Sequence, residues 1–149
     1  MPGHPDPLSV MVIVSEVKAM VAEIQTLIAG GLARKMELVE MAGGLYPLPQ
    51  VAALLSISEE AIEDRHRAGL LIAVRSGGIY GYPACQFTAD GVVESLAVIL
   101  EAMPMRNNWM RLEWLLVPDD ALEGHAPLEA LKEGRIDEVI DVARAQGAE

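Results

Sequence analysis

The first third of the chain carries a stripe of aliphatic residues at helical spacing. From Ser9 onward, apolar residues recur every three or four positions, which is the period of one helix face: Val10, Val14, Val17, Val21, Ile24 and Ile28. Gly30-Gly31 interrupts the stripe, so we expect a second short helix over Leu32, Met36 and Val39, ended by Gly43-Gly44. Residues 1–7 hold three prolines and a glycine and are expected to form an extended tail or arm.

A helix face this apolar has to be covered by something. Packing inside the chain and pairing with a second copy both satisfy that need, and the sequence leaves both open. A membrane surface fits poorly, because no basic face accompanies the stripe. The N-terminal helix is therefore the candidate interface of an expected homodimer.

The middle of the chain predicts a helix-turn-helix. Leu48–Leu55 has the pattern of a short helix, residues 56–58 form a turn, and residues 59–68 form a second helix. Ser58 stands where an N-cap belongs, and Gly69 stands where a helix ends at its C′ position. Two β-prone runs, LLIAV and IYGYP, then flank a Gly-Gly turn and indicate a hairpin. Helix, turn, helix and hairpin in this order predict a winged helix-turn-helix.

The last third is expected to be helical. Val92, Leu96, Ile99 and Leu100 stripe a helix that ends at Pro104, and Asn108 is placed to cap the next one. In that next helix one side is shared by Trp109, Leu112, Leu115 and Leu116. Pro127 opens a short helix ending at Gly134. A final helix follows, with its apolar residues inward (Ile136, Val139, Ile140, Ala143) and its charged residues outward (Asp137, Glu138, Asp141, Arg144).

The predicted fold class is mainly α. It comprises N-terminal helices in residues 1–44, a winged helix-turn-helix with a small β-hairpin in 45–84, and a C-terminal helical domain in 85–149. The composition also favours helices. Of the 149 residues 52% are hydrophobic but only 4% are aromatic, so the core must consist mostly of aliphatic residues and methionine, and alanine, leucine and methionine are good helix formers. No apolar run reaches the ~20 residues of a membrane span, and the N-terminus lacks the basic region of a secretory signal. The expected location is the cytoplasm.

Nothing in the sequence assembles into a catalytic or metal site. His4, His66 and His125 are not at metal-ligand spacing, and Cys85 fits a buried structural thiol better than a nucleophile. Asp119-Asp120 follows a proline, where carboxylates cap helices. The Gly-Gly pairs lack the lysine and spacing of a phosphate-binding loop. We therefore expect no cofactor, no metal and no enzyme.

Charge leaves nucleic-acid binding open. The net charge of −11 disfavours non-specific binding to polyanions, but the acidic excess is concentrated after residue 84. The helix-turn-helix region is nearly neutral, and its basic residues are clustered. The residues expected to contact DNA are Ser58, Arg65, His66, Arg67 and Arg75. Against this, Glu60, Glu63 and Asp64 share one face of the second helix and would repel phosphate. A fold kept for protein contacts is the alternative.

Two stretches resemble known families. The segment from Tyr46 to Pro83, with LPQVAALLSISEEAIEDRHRAGLLIAV and IYGYP, resembles the DNA-binding head of the MerR-like winged-helix group. Residues 109–145, WMRLEWLLVPDDALEGHAPLEALKEGRIDEVIDVARA, are similar to the toxin-binding domain of the Xre/MbcA/ParS antitoxins. The matching residues of the second stretch are Trp109, Leu115, Leu116, Gly124, Pro127, Leu128, Leu131, Gly134, Val139 and Ala143.

The resemblance implies an antitoxin-like transcriptional regulator. In such proteins the helix-turn-helix binds the operator of its own gene pair, and the C-terminal domain blocks an NAD-consuming toxin of the RES class. A toxin protein is then the implied partner. The acidic outer face of the last helix, with Asp137, Glu138, Asp141 and Arg144, is the candidate surface for it, because it would complement a basic active-site mouth.

Overall fold

The protein is mainly α-helical, and the computed structural model describes residues 6–146. In chain order the elements are α1 (Pro7–Met41), β1 (Leu45–Tyr46), α2 (Leu48–Leu55), α3 (Glu59–Arg67), β2 (Val74–Ser76), β3 (Ile79–Pro83), β4 (Phe87–Thr88), β5 (Gly91–Val92), α4 (Leu96–Ala102), α5 (Asn108–Leu116), α6 (Pro127–Lys132) and α7 (Ile136–Ala145). The chain divides into two compact units, Met1–Glu37 and Leu38–Glu149.

The N-terminal prediction was wrong in one respect, because α1 is a single helix of 35 residues. It runs through Gly30-Gly31 without a break, and neither glycine has a positive φ. A glycine costs a helix only about 1 kcal/mol relative to alanine, which many regular helical residues on both sides can absorb. The tail expected over residues 1–7 falls largely on residues 1–5, outside the described residues, and Pro7 already belongs to the helix.

The stripe on α1 is exposed. Its six predicted members are all between 40% and 57% exposed, from Val10 to Ile28. Between residues 6 and 146 no helix combines the length and the apolar character needed to cross a membrane.

The winged helix-turn-helix is confirmed. Ser58 caps α3 by accepting a hydrogen bond from the Ala61 N–H at 3.1 Å, and Gly69, with φ of +78°, follows the end of the helix. β2 and β3 form an antiparallel hairpin, the wing, and β1 pairs with the other edge of β3. A side chain at Gly81 would lie 2.9 Å from Leu45, so this glycine allows β1 to approach β3.

Residues 71–74, which lead from α3 into the wing, form a wall between two hydrophobic cores. Leu71 and Ala73 belong to the helix-turn-helix core, with Val51, Ile62 and Tyr82. Ile72 and Val74 belong to the C-terminal core, with Leu96, Ile99, Leu100, Leu115 and Val139. All four are at most 2% exposed. The alternation is that of an extended chain, whose successive side chains point to opposite faces, and the unbroken apolar run LLIAV reflects burial on both faces.

The backbone of this buried wall obtains its hydrogen bonds from later parts of the chain. The buried Gln86 side chain accepts from the Ile72 N–H at 2.9 Å and donates to the Ile72 carbonyl at 2.7 Å. Asn108 donates from Nδ2 to the Ala73 carbonyl at 2.9 Å. Buried backbone groups need such partners, so the wing depends on residues that follow it in the sequence.

The C-terminal prediction needs two corrections. Residues 85–149 are not helical from their start, because β4 and β5 form a short hairpin that includes Val92. Asn107, not Asn108, caps α5, since its side chain accepts from the N–H groups of Trp109 and Met110. The amide of Asn108 bonds to the Ala73 carbonyl instead.

The other C-terminal elements are confirmed. Pro127 occupies the first turn of α6, and Asp119 caps the short turn Asp120–Leu122 through the Ala121 N–H at 2.9 Å. In α7, Val139 and Ala143 are fully buried. The four charged residues expected outside are exposed: Asp137, Glu138, Asp141 and Arg144.

We predict that Gln86→Ala destabilises the protein strongly. The substitution leaves the N–H and the carbonyl of Ile72 buried without partners, at about 1–3 kcal/mol for each group. The free energy of unfolding, measured by urea denaturation, should fall by roughly 2–6 kcal/mol on this basis. Gln50→Ala, at an exposed glutamine, is the matched control and should change it by less than about 0.5 kcal/mol. Equal effects of the two substitutions would show that the Gln86 contacts add nothing.

Candidate nucleic-acid interface

Tyr80 on the wing joins the wing to the last turn of α3. The His66 ring meets the Tyr80 ring edge-on, with 4.8 Å between centroids, and also lies 6.2 Å from the Tyr82 ring. The guanidinium carbon of Arg75 lies 5.2 Å from the centroid of the Tyr80 ring, a cation–π contact. Arg75, Tyr80 and His66 thus form one chain of contacts from β2 to α3.

A groove of about 450 Å³ lies between α3 and the wing, beside the contact of His66 with Tyr80. Glu63, His66 and Arg67 line it from α3, and Ile79, Tyr80 and Tyr82 from β3. Ile79 is 74% exposed beside the Gly77-Gly78 turn, so the tip of the wing is apolar. Ile79 and Tyr80, which line this groove, were not among the residues expected to contact DNA, although large apolar and aromatic residues next to a hairpin turn are a visible signal in the sequence.

His66 acts as a packing residue in this structure. Burial lowers the pKa of His66 below its usual 6.5, and the nearby Arg67 lowers it further, while Glu63 raises it. Burial and the carboxylate of Glu63 likewise raise the pKa of the neighbouring Tyr82. The neutral imidazole is therefore favoured, and its role at neutral pH is contact with two tyrosine rings rather than positive charge.

The structure gives the predicted DNA contacts different surroundings. Arg67 forms an ion pair with Asp64 one turn earlier. Arg65 and Arg75 are exposed, and within residues 6–146 no carboxylate lies at ion-pair distance from either. The hydroxyl oxygen of Ser58 is used as the N-cap acceptor. Arg65 and Arg75 are thus two exposed cations of the helix-turn-helix and its wing that are not neutralised by an ion pair among the described residues.

Acidic residues share α3 with Arg65 and Arg67. Glu60, Glu63 and Asp64 are all exposed on α3. The first turn of the helix is acidic and the last turn is basic, an order that the helix dipole favours on its own. The surface of α3 therefore carries both signs of charge.

A buried arginine on α5 packs beside the end of α3. Arg111 on α5 is 2% exposed and donates to the carbonyls of Leu100 and Met105 at 3.0 and 3.1 Å. A side chain at Gly69 would lie 3.8 Å from its Nη1, so Arg111 packs beside the end of α3. Burial, and then the charge of Arg106, lower its pKa. Sequence reasoning missed it, although its place one turn before Leu115 put it on the inward face of α5.

In the part of the chain that the structure describes, no three His, Cys, Asp or Glu side chains lie close enough together to hold a metal ion. Burial raises the pKa of the Cys85 thiol from 9.0 to about 11, which disfavours the reactive thiolate. Of the charged residues outside on α7, Glu138 pairs with Arg135 at 2.6 Å.

We predict that His66 makes stability depend on pH. Its pKa is lower in the folded protein than in the unfolded chain, so its contribution is present above pH 6.5 and is lost as the pH falls through its folded pKa. His66→Phe keeps an aromatic ring but removes the titration. The loss of melting temperature between pH 7.5 and pH 5 should be smaller in this variant than in the wild type. The same loss in both would mean that His66 does not titrate across this range.

Comparisons with known proteins agree with this architecture. Residues 100–147 match a family model described as the Rv2175c C-terminal domain of unknown function. The chain is 32% identical over 115 residues to the DNA-binding protein Rv2175c of Mycobacterium tuberculosis, a match that covers 67% of this chain and 78% of that one. A solved NMR structure of Rv2175c superposes with a TM-score of 0.56 at 31% identity, covering 68% of this chain and 79% of that one. None of these matches names an antitoxin or a MerR-like regulator. This chain belongs to the family of the DNA-binding protein Rv2175c.

Proposed function

We propose that this protein is a transcriptional regulator that binds double-stranded DNA through α3 and the wing. The observation that carries the proposal is the contact chain Arg75–Tyr80–His66, which fixes the wing against the end of a helix of recognition type. In helix-turn-helix proteins the second helix enters the major groove. Here the wing would then lie over the adjacent backbone, with Arg75 placed for phosphate. The name of the M. tuberculosis relative, a DNA-binding protein, supports the same conclusion.

The acidic residues of α3 are compatible with this role. Glutamate can accept a hydrogen bond from the N4 amino group of cytosine, so an acidic side chain in the major groove can read sequence. Repulsion from phosphates would at the same time weaken binding to non-matching DNA. With a net charge of −11, we expect a binder that discriminates between sequences more than it binds DNA in general.

We predict that Arg75→Ala and Arg65→Ala weaken DNA binding in different ways. The duplex upstream of the protein's own gene is the probe, measured by fluorescence anisotropy at several salt concentrations. Arg75→Ala should weaken all duplexes alike and reduce the salt slope by about 1, as expected for a lost phosphate contact. Arg65→Ala should cost about 1–3 kcal/mol on the preferred duplex and less on others, as expected for a lost base contact.

The control for both is Arg106→Ala, which removes an exposed arginine from the loop between α4 and α5. It should leave affinity and salt slope unchanged. If the wild type binds no duplex even at low salt, the DNA proposal fails. The helix-turn-helix fold is then retained for protein contacts, the alternative that the acidic face of α3 supports.

We further propose that α7 presents a surface for a cationic protein partner, with a toxin as the implied class. Asp137 and Asp141 are exposed one helical turn apart, where like charges repel mildly. Asp137 lies in the first turn of α7, where the helix dipole favours an acidic residue. Neither the dipole nor packing gives a reason for a second acidic residue at Asp141, whereas a basic partner would. The comparisons with the Rv2175c family do not name such a partner, so this part of the proposal depends on the exposed acidic face and on the antitoxin resemblance.

We predict that Asp137→Lys with Asp141→Lys weakens capture of this partner and leaves the fold intact. The tagged protein would be purified from its native cell and the captured proteins identified by mass spectrometry. Glu101→Lys with Asp90→Lys, an exposed pair outside α7, is a charge-matched control. A partner retained equally by both double variants would show that the α7 face is only a solvated surface.

Self-association through α1 is the last part of the proposal. The stripe from Val10 to Ile28 is exposed, and contiguous apolar faces of this kind mark interaction sites. A symmetric pair of helix-turn-helix modules would also match the two-fold symmetry of an operator.

A further inference from the structure

The apolar face of α1 is made of three series of residues, which we call columns. Within each column the residues are seven positions apart. Counting in sevens, the columns contain nine aliphatic or methionine side chains: Val14, Val21 and Ile28; Val10, Val17 and Ile24; Ile13, Met20 and Leu27. Each of these side chains is between 40% and 75% exposed. The columns end together, because the next members of the three series are Lys35, Gly31 and Arg34.

Three of the seven heptad positions of α1 are apolar, which is more than a pair of helices can cover. A two-stranded coiled coil buries two columns, the a and d positions, and charged residues normally occupy the flanking g positions. In α1 the first two columns correspond to a and d, and the third corresponds to g. A face three columns wide is the pattern of a helix that packs in a bundle.

The shape of the side chains in the first two columns points the same way. Parallel dimers favour β-branched residues at a and leucine at d, whereas isoleucine at both positions favours three or four strands, so the absence of leucine from the d column removes the preference for a dimer. Both columns of α1 contain only valine and isoleucine. From Ser15 to Gly30 the residues on the opposite side of the helix are small or polar, such as Ser15, Glu16, Ala19, Glu23 and Thr26, whereas Leu8, Met11 and Val12 extend the apolar surface around its first turns. Over residues 15–30 one side is therefore suited to burial and the other to water.

We propose that the occupant of this face is α1 of further copies of the same chain, and that four such helices form a bundle. Closed tetramers built from two-fold pairs follow dimers in frequency among homo-oligomers, and a bundle of four covers all three columns. The tetramer would carry two pairs of helix-turn-helix modules. This inference rests on the proposed self-association and does not depend on DNA binding.

The molar mass of the full chain in solution, measured by multi-angle light scattering without DNA, tests the inference. The wild type should show four times the chain mass of 16.0 kDa. Ile13→Gln, Met20→Gln and Leu27→Gln together should reduce the assembly to two chains, because only the a and d columns stay apolar. Ala19→Gln, Ala22→Gln and Thr26→Gln, a triple change on the other side of α1, should leave four chains.

A wild type of one, two or three chains would overturn the inference, as would a third-column variant that stays tetrameric or falls to monomers. Both tryptophans, Trp109 and Trp114, lie in the second unit. Their fluorescence therefore verifies that each variant is folded outside α1. Because the mass is measured without DNA, a mass other than that of four chains would not bear on the DNA-binding proposal, which is tested by fluorescence anisotropy.

Discussion

The buried wall at residues 71–74 is the constraint on which the second unit depends. It connects α3 to the wing and lies between two cores, so its side chains serve both. An extended chain in that position has no neighbouring strand at Ile72 and would leave backbone polar groups unpaired in an apolar environment. The amide of Gln86 replaces the missing strand by bonding to the N–H and the carbonyl of the same residue. The wing can therefore leave the core at a fixed place.

Because of this constraint, the helix-turn-helix and the C-terminal helices pack together as one unit. Asn108 bonds to the Ala73 carbonyl, and Arg111 packs beside Gly69 at the end of α3. Both belong to α5, which also contributes Leu112 and Leu115 to the interior. A ligand that moves α5 would therefore move the base of the wing and the end of the recognition helix together. In this arrangement, α5 contacts both the residues that lead into the wing and the end of α3.

Local signals made the helix-turn-helix predictable from the sequence. The Ser58 cap, the Gly69 terminus and the Gly77-Gly78 turn each depend on a few consecutive residues, and all three occur in the structure. The errors came where distant residues decide. Nothing near Gln86 or Arg111 in the sequence says that their polar groups bond to backbone buried elsewhere, and the amide of Asn108 bonds to Ala73, 35 residues away. The predicted break at Gly30-Gly31 was wrong for a different reason, since a long helix can absorb the free-energy cost of two glycines.

The central claim is that α3 and the wing form a single DNA-contacting surface, and hydrogen–deuterium exchange of the full chain with and without duplex DNA tests it most directly. The account predicts that DNA slows exchange in the peptides covering both the last turn of α3 and the hairpin from Val74 to Pro83, which contact each other through His66 and Tyr80. Protection that is absent from both, or that is found only in α7, would contradict it.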